Sequence, residues 1–388
     1  MNRKPLSKKK TYLYGSFAIF LCLIGVFIIT EVYVRITRDY KDLWVKTGRK
    51  IGENPMKKWY FIDAFSAYKT KPGVFFNKEG LNKTTNKHGF ISSPEIDLIK
   101  PENTLRIVFL GGSSTAGVGG TISDEDTWPF LTSKILQAKY NNYNIEYLNG
   151  AQGGYSTFES YGRLWSRIRF FSPDIIILNH AWNEMYYFGM VDDMISWRTL
   201  PDGSWNFEKT SKKLGSYDPY WFDHIIRYSQ LLTRLRLRIT GYSNWVLEKS
   251  SEQDQNFDHI KDYDKRGLEI FRTNLNLIKE SVKIINAKLF VVKQPTLITP
   301  STTEEDKKRC YYHYHGFGHD AHVDAFNQIY KIIEEEIDKE YILDLTELSG
   351  ISENFFDHVH PTELGARKIA DLISKSLDNE IKNFKFQN

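Results

Sequence analysis

The sequence predicts an α/β protein: a parallel sheet with helices on both faces, a mostly helical aromatic-rich insertion, and one transmembrane helix in front. Three observations lead there. Short apolar runs rich in Ile, Val, Leu, Phe and Tyr recur at 105–110, 144–148, 174–179, 288–292 and 341–345. That is the composition of strands buried on both faces. Helix-like stretches lie between and after them, at 127–139, 157–170, 267–286, 322–337 and 362–377. Such alternation gives a three-layer α/β/α arrangement around a parallel sheet. The chain is also 41% apolar and 15% aromatic, which supplies a large core and excludes a disordered or collagen-like chain.

Residues 1–10 hold Arg3, Lys4, Lys8, Lys9 and Lys10 and no acid. They contribute +5 to a formal net charge of +4, leaving −1 on the other 378 residues. Nucleic acid therefore has no broad basic surface to meet. From Thr11 to Thr30 there is no charge. At about 1.5 Å per residue this run matches the hydrocarbon thickness of a bilayer. The expectation is a signal anchor over 11–34, with the basic tail in the cytoplasm and the rest outside. Tyr12, Tyr14 and Tyr33 fall near its ends, where amphipathic rings prefer the interface. The alternative is a cleaved signal peptide, against which stand the length of the run and the lack of an A-x-A site. Cys22 follows the bulky Leu21, which speaks against lipid attachment. Cys310 alone lies outside the membrane segment, so it has no intrachain disulfide partner.

Residues 35–104 carry turn signals at Pro72-Gly73, 82–87, His88-Gly89 and Pro94. They read as an exposed lead-in that packs on a domain spanning 105–388. Between 185 and 265 the rhythm breaks for about eighty residues, too many for a structureless loop. This insertion holds Trp197, Trp205, Trp221 and Trp245. Within it, 223–239 reads as a single amphipathic helix. Its Arg227, Arg234, Arg236 and Arg238 form either a solvated basic face or a contact for anionic lipid or substrate.

In open α/β sheets ligands collect beyond the carboxyl ends of the strands. After the first run comes FLGGSSTAG (109–117). Gly111 and Gly112 permit a sharp turn, and Ser113 then stands near a strand end. A helix starting there would aim backbone N–H groups at bound negative charge. A plain strand-to-helix turn with a serine cap is the alternative. The segment lacks the G-x-x-x-x-G-K-[ST] of a phosphate loop. It also fails G-x-S-x-G, because Thr115 stands at the last glycine.

FFDHVHPTELGARKIA (355–370) places Asp357 and His360 three apart, close enough to be neighbours. A carboxylate there fixes the imidazole tautomer and leaves the other nitrogen to take a serine proton. His358 points elsewhere in that geometry. YLNGAQGGYST (147–157) follows the second strand and LNHAWNEM (178–185) the third. The N–H groups of Ser113 and Gly154 with the Asn183 amide make a candidate donor set for an oxyanion. The alternatives are glycines that serve only a turn and an asparagine that only caps a helix.

Together these four segments resemble the SGNH, or GDSL-like, hydrolase family, over about 105–377. That family has serine in a first block, glycine in a second, asparagine in a third and Asp-x-x-His in a last. The resemblance implies a flavodoxin-like fold. It implies Ser113 as nucleophile, His360 as general base and acid, and Asp357 as the orienting carboxylate. It also implies an oxyanion hole of Ser113, Gly154 and Asn183. Asn149 and Gly154 fit the spacing of the second block, with Gly153 the alternative donor. Two departures stand out: Gly112 replaces the usual aspartate before the serine, and Ala181 and Glu184 replace the flanks of G-x-N-D. NKHGFISSPE (86–95) resembles a lead-in of membrane-anchored relatives.

A rival constellation lies at 310–324, where His313, His315, His319 and His322 stand near Asp320 and Asp324. Such spacings suit zinc, and the alternative is a polar aromatic loop at the mouth of the cleft. The expectation is no metal and no cofactor. The expected protein is a membrane-anchored extracytoplasmic serine esterase, working through an acyl-enzyme on a glycan or lipid ester. Acyl transfer to a glycan hydroxyl and a non-catalytic glycan-binding or assembly role are the alternatives.

Overall fold

The computed structural model describes residues 8–38, 59–78, 81–121, 123–142, 144–188, 221–226, 228–239 and 263–384. Two compact units divide the chain: Met1–Lys58 with Leu214–Gln255, and Trp59–Lys213 with Asn256–Asn388.

In the larger unit two antiparallel hairpins come first, β1 (Tyr60–Asp63) with β2 (Ala67–Thr70) and β3 (Phe75–Lys78) with β4 (Leu81–Thr84). The main sheet follows. It contains β5 (Thr104–Gly111), β6 (Asn144–Asn149), β7 (Ile175–Asn179), β8 (Lys288–Lys293) and β9 (Ile342–Asp344). All pair in parallel, in the order β6-β5-β7-β8-β9. This is the flavodoxin-like order, in which the chain first steps to one side of β5 and then crosses to the other. The crossing leaves a crevice beyond the carboxyl ends of β5 and β7.

Residue alternation along β5 explains the three layers. Leu105, Ile107 and Phe109 meet Trp128 and Leu136 of the helix Trp128–Lys139, and Ile369 and Ile373 of Glu363–Ser376. Val108 and Leu110 belong to the opposite core. There they join Leu164 of Thr157–Ser166, Leu275 and Ile278 of Arg266–Ile284, and Phe326 and Ile329 of His319–Glu336. Each such side chain contributes about 1.5–3 kcal/mol when fully buried. The one charge inside the run, Arg106, is buried opposite Glu146 on β6, and its Nη2 donates to that carboxylate at 2.6 Å. Pairing offsets the cost of taking the guanidinium out of water.

The lead-in is less exposed than the sequence suggests. Ala67, Tyr68, Phe90 and Ile91 are buried. Phe90 lies beneath the guanidinium groups of Arg163 and Arg167, at 4.7 and 4.8 Å from its ring centre. Ser93 Oγ accepts the Asn149 N–H at 3.1 Å. The segment from Trp59 onward is thus part of the domain body, reaching the end of β6.

In the smaller unit the helix Lys8–Thr37 contains Tyr12–Thr37, long and apolar enough to cross a membrane. The single helix expected over 223–239 is two, Asp223–Ile226 and Gln230–Ile239. Ser229 breaks it: its Oγ accepts the Leu232 N–H at 3.1 Å and starts the second helix anew. Most of the 185–265 insertion, including Trp197, Trp205, Arg227 and Trp245, lies outside the described residues.

Candidate active site

Ser113 stands two residues past β5 and opens the one-turn helix Ser113–Ala116. So short a helix carries little macrodipole to aim at bound negative charge. The serine is instead defined by its neighbour. His360 Nε2 lies 2.7 Å from Ser113 Oγ, and His360 Nδ1 lies 2.7 Å from Asp357 Oδ2. An ionised carboxylate only accepts, so Nδ1 carries the hydrogen and Nε2 is left to accept the serine hydroxyl. Asp357 Oδ1 also accepts the N–H groups of Val359 and His360, each at 3.0 Å. The Asp357 side chain is 6% exposed and that of His360 15%. Burial pushes the Asp357 carboxyl up. The imidazole of His360, by charge and hydrogen bond, more than reverses this and holds it well below the usual carboxylate range.

His358, between them in sequence, faces Trp182, with ring centres 3.8 Å apart. Glycines near His360 also matter. A Cβ on Gly119, whose φ is +122°, would lie 2.8 Å from His360 Cδ2. The Gly-Val-Gly-Gly loop therefore covers one face of the imidazole, a role its sequence does not announce.

The third block joins the first. Asn183 Nδ2 donates to the Tyr155 carbonyl at 2.7 Å. A Cβ at Gly112 would lie 2.4 Å from that same Nδ2. This gives the departure at 112 a physical reason: the Asn183 amide occupies the space a side chain would need. Gly153 stands beside the nucleophile, where a Cβ would lie 3.9 Å from Ser113 Cβ, and Gly154 follows with φ +79°. A shallow cleft opens at the strand ends, lined among others by Ser113, Ser114, Asn179, Trp182, Asn183 and Gln294.

Sequence reasoning missed Trp182 and three polar lining residues, Ser114, Asn179 and Gln294. Gln294, just past β8, donates through Nε2 to Ser114 Oγ at 2.9 Å and accepts the Trp182 N–H at 2.9 Å. Asn179 Nδ2 donates to Thr115 Oγ1 at 3.0 Å. These bonds tie three strand ends together. Their sequence signal is only a polar residue at or just after the end of an apolar strand.

Glu184, the other departure, is buried. Its carboxyl accepts the Thr157 N–H at 2.6 Å and the Thr157 hydroxyl at 2.8 Å. Burial pushes its pKa up to about 8 against the pull of both donors. Burial likewise pushes His180 down to about 3. His180 Nδ1 and Glu184 Oε1 are 3.7 Å apart, and burial disfavours the charged form of each. The residue beside Asn183 thus clasps the start of the helix after the second block.

The histidines at 315–322 are engaged with the protein. His319 contacts Tyr312 Oη at 2.7 Å and the Thr299 carbonyl at 2.9 Å through its two ring nitrogens. His322 contacts His315 Nδ1 at 3.0 Å and the Gly318 carbonyl at 2.9 Å. His315 and His322 also flank Trp182 at 4.2 and 5.3 Å between ring centres. This describes an aromatic wall behind His358; the side chain of His313 lies outside the described residues. Among the described residues the one cluster with metal-ligand spacing is Asp357, His358 and His360. Two of its members are already bonded in the serine relay.

The arrangement defines a class: a doubly wound α/β protein with a Ser–His–Asp hydrogen-bonded relay at its switch point. No family model and no curated protein matches the chain. Among solved structures it is similar to an acetylxylan esterase from Geobacillus stearothermophilus, with 13% identity and a TM-score of 0.37, covering 72% of this chain and 95% of that one. It is similar to a lipase from a goat rumen metagenome, with 13% identity and a TM-score of 0.40, covering 70% and 97%. A GDSL-like lipase from Bacteroides thetaiotaomicron gives 12% identity and a TM-score of 0.37, covering 74% and 92%.

Proposed function

We propose that this chain is a membrane-anchored serine esterase of the SGNH, or GDSL-like, hydrolase type, acting outside the cytoplasmic membrane. One observation carries the reading: the unbroken relay from Asp357 through His360 to Ser113, with both links at 2.7 Å. Ser113 Oγ attacks an ester carbonyl while His360 takes its proton. The same imidazole returns that proton to the leaving alcohol, and an acyl-enzyme results. Water activated by His360 then releases the acid. The Ser113 N–H, the Gly154 N–H and the Asn183 amide hold the developing oxyanion.

The substrate class is an O-acyl ester, and O-acylated glycan is our choice. Polar Ser114, Asn179 and Gln294 line the cleft. The basic tail and the apolar helix that follows support an N-in, single-pass anchor. To test the reaction, the full chain in detergent is incubated with an aryl acetate and with acetylated oligosaccharides. Free acetate is expected from both. Acetyl groups moved to a second sugar with little free acid would make the enzyme a transferase. Neither product would end the esterase reading.

The Gly112 geometry gives a further expected result. Gly112→Ala places a methyl against the Asn183 amide and turns it away. Loss of one oxyanion donor lowers kcat by about 100- to 1,000-fold, while the thermal melt moves little. Unchanged kcat in a folded Gly112→Ala protein would remove Asn183 from the oxyanion hole.

A further inference from the structure

We propose that the helix Gln230–Ile239 docks on the surface of an anionic lipid bilayer, held at headgroup depth by the carboxylate of Glu31. The proposal rests on reading the uncharged run Thr11–Thr30 of the helix Lys8–Thr37 as the membrane-crossing part. Glu31 directly follows the uncharged run Thr11–Thr30, where a bare carboxylate next to hydrocarbon is costly. Here it is fully engaged. Glu31 Oε2 accepts the Ser229 hydroxyl at 2.7 Å and the Leu231 N–H at 2.9 Å. Glu31 Oε1 accepts the Gln230 N–H at 2.9 Å and Arg35 Nε at 2.6 Å. Arg35 Nη2 in turn donates to the Tyr228 carbonyl at 2.7 Å.

The first N–H groups of a helix lack intrahelical partners, and the positive end of its dipole favours an anion. Glu31, some two hundred residues away in sequence, meets both needs. This contact fixes the depth of the helix. A residue at the end of the apolar run lies where hydrocarbon gives way to headgroups, and the N-terminus of Gln230–Ile239 lies there with it.

Composition then selects the partner. QLLTRLRLRI carries three arginines and no acid, complementary to anionic headgroups. Leu235 within it is 50% exposed, and Trp221, Tyr228 and Ile225 just before it are 76, 71 and 63% exposed. Large aromatic and aliphatic side chains beside arginines are what an interfacial helix offers a bilayer. The chain's own span delivers that bilayer to this face.

The test uses the full chain carrying Cys22→Ser in vesicles of equal phosphatidylglycerol and phosphatidylcholine. Bimane is attached through Ile225→Cys, or through Ile24→Cys as a control in the span. Lipids spin-labelled near the headgroup are expected to quench position 225 at least about twofold more than lipids labelled deep in the acyl chain. Deep labels are expected to quench position 24. Glu31→Ala should abolish the shallow quenching at 225. Arg234→Gln with Arg236→Gln, or vesicles of phosphatidylcholine alone, should weaken it at least about twofold. Quenching at 24 without any at 225 overturns the docking and leaves the span intact. Quenching at neither position overturns the span and the proposal together. Protection of 225 from aqueous iodide without lipid quenching assigns this face to a protein contact or a second copy, and overturns the proposal too.

Discussion

Ser113→Ala is expected to abolish labelling by a fluorophosphonate probe and to cut ester turnover by about four to six orders of magnitude. The physical basis is narrow. The Ser113 hydroxyl stands 2.7 Å from His360 Nε2. Removing one oxygen leaves the base without a proton to take and the carbonyl without a nucleophile. Ser113 is only half-buried, so alanine should fold with an unchanged melting transition. The measurement is probe labelling beside a thermal melt of the same preparation. Full labelling of a folded Ser113→Ala protein would sink the esterase reading, because some other serine would be the nucleophile.

Asp357→Asn comes second, with an expected loss of about 10,000-fold in kcat. An amide in place of the carboxylate can offer its N–H to Nδ1, which favours the wrong tautomer and turns the proton on the imidazole towards the serine. The backbone bonds from Val359 and His360 to Asp357 Oδ1 can persist to the amide oxygen, so folding should survive. The pH dependence follows from the same carboxyl. Its pKa is held well below the usual carboxylate range, by charge and hydrogen bonding from His360 overcoming burial. A depressed carboxylate contributes stability that is present above its unfolded pKa and lost as pH falls through the folded one. Asp357 therefore stays ionised through mild acid, and an imidazolium beside it cannot act as base. Mild acid should thus lower kcat/KM with a one-proton slope while circular dichroism stays constant. A two-proton slope, or unfolding that tracks the activity loss, would count against this division of roles.

The secondary structure was legible because its signals are local. Apolar runs such as 105–110 and amphipathic stretches such as 267–286 appear as β5 and the helix Arg266–Ile284, with ends shifted by a residue or two. Where local pattern ran across a capping group, it misled. The apolar and basic periodicity of 223–239 continues through Ser229, but the chain breaks there. A serine oxygen and a distant glutamate satisfy the new helix start. The lead-in misled for a related reason. Its polar turn residues look solvent-facing, yet Phe90 and Ile91 between them are drawn into the body.

The sequence by itself determined the order of the five main-sheet strands and the helices between and after them, the apolar N-terminal run, and which residue types stand at which strand ends. Those properties depend on neighbours a few positions apart. Only the tertiary structure decided that Ser113 and His360, 247 positions apart, share a hydrogen bond. It also decided that Gly112 yields its space to Asn183, that Gly119 packs on the imidazole, and that Gln294 joins separate strand ends. Such contacts are set by how the sheet twists and how its helices pack. Many sequences share a local pattern, but the distance between two remote side chains is fixed only when the whole core closes around them.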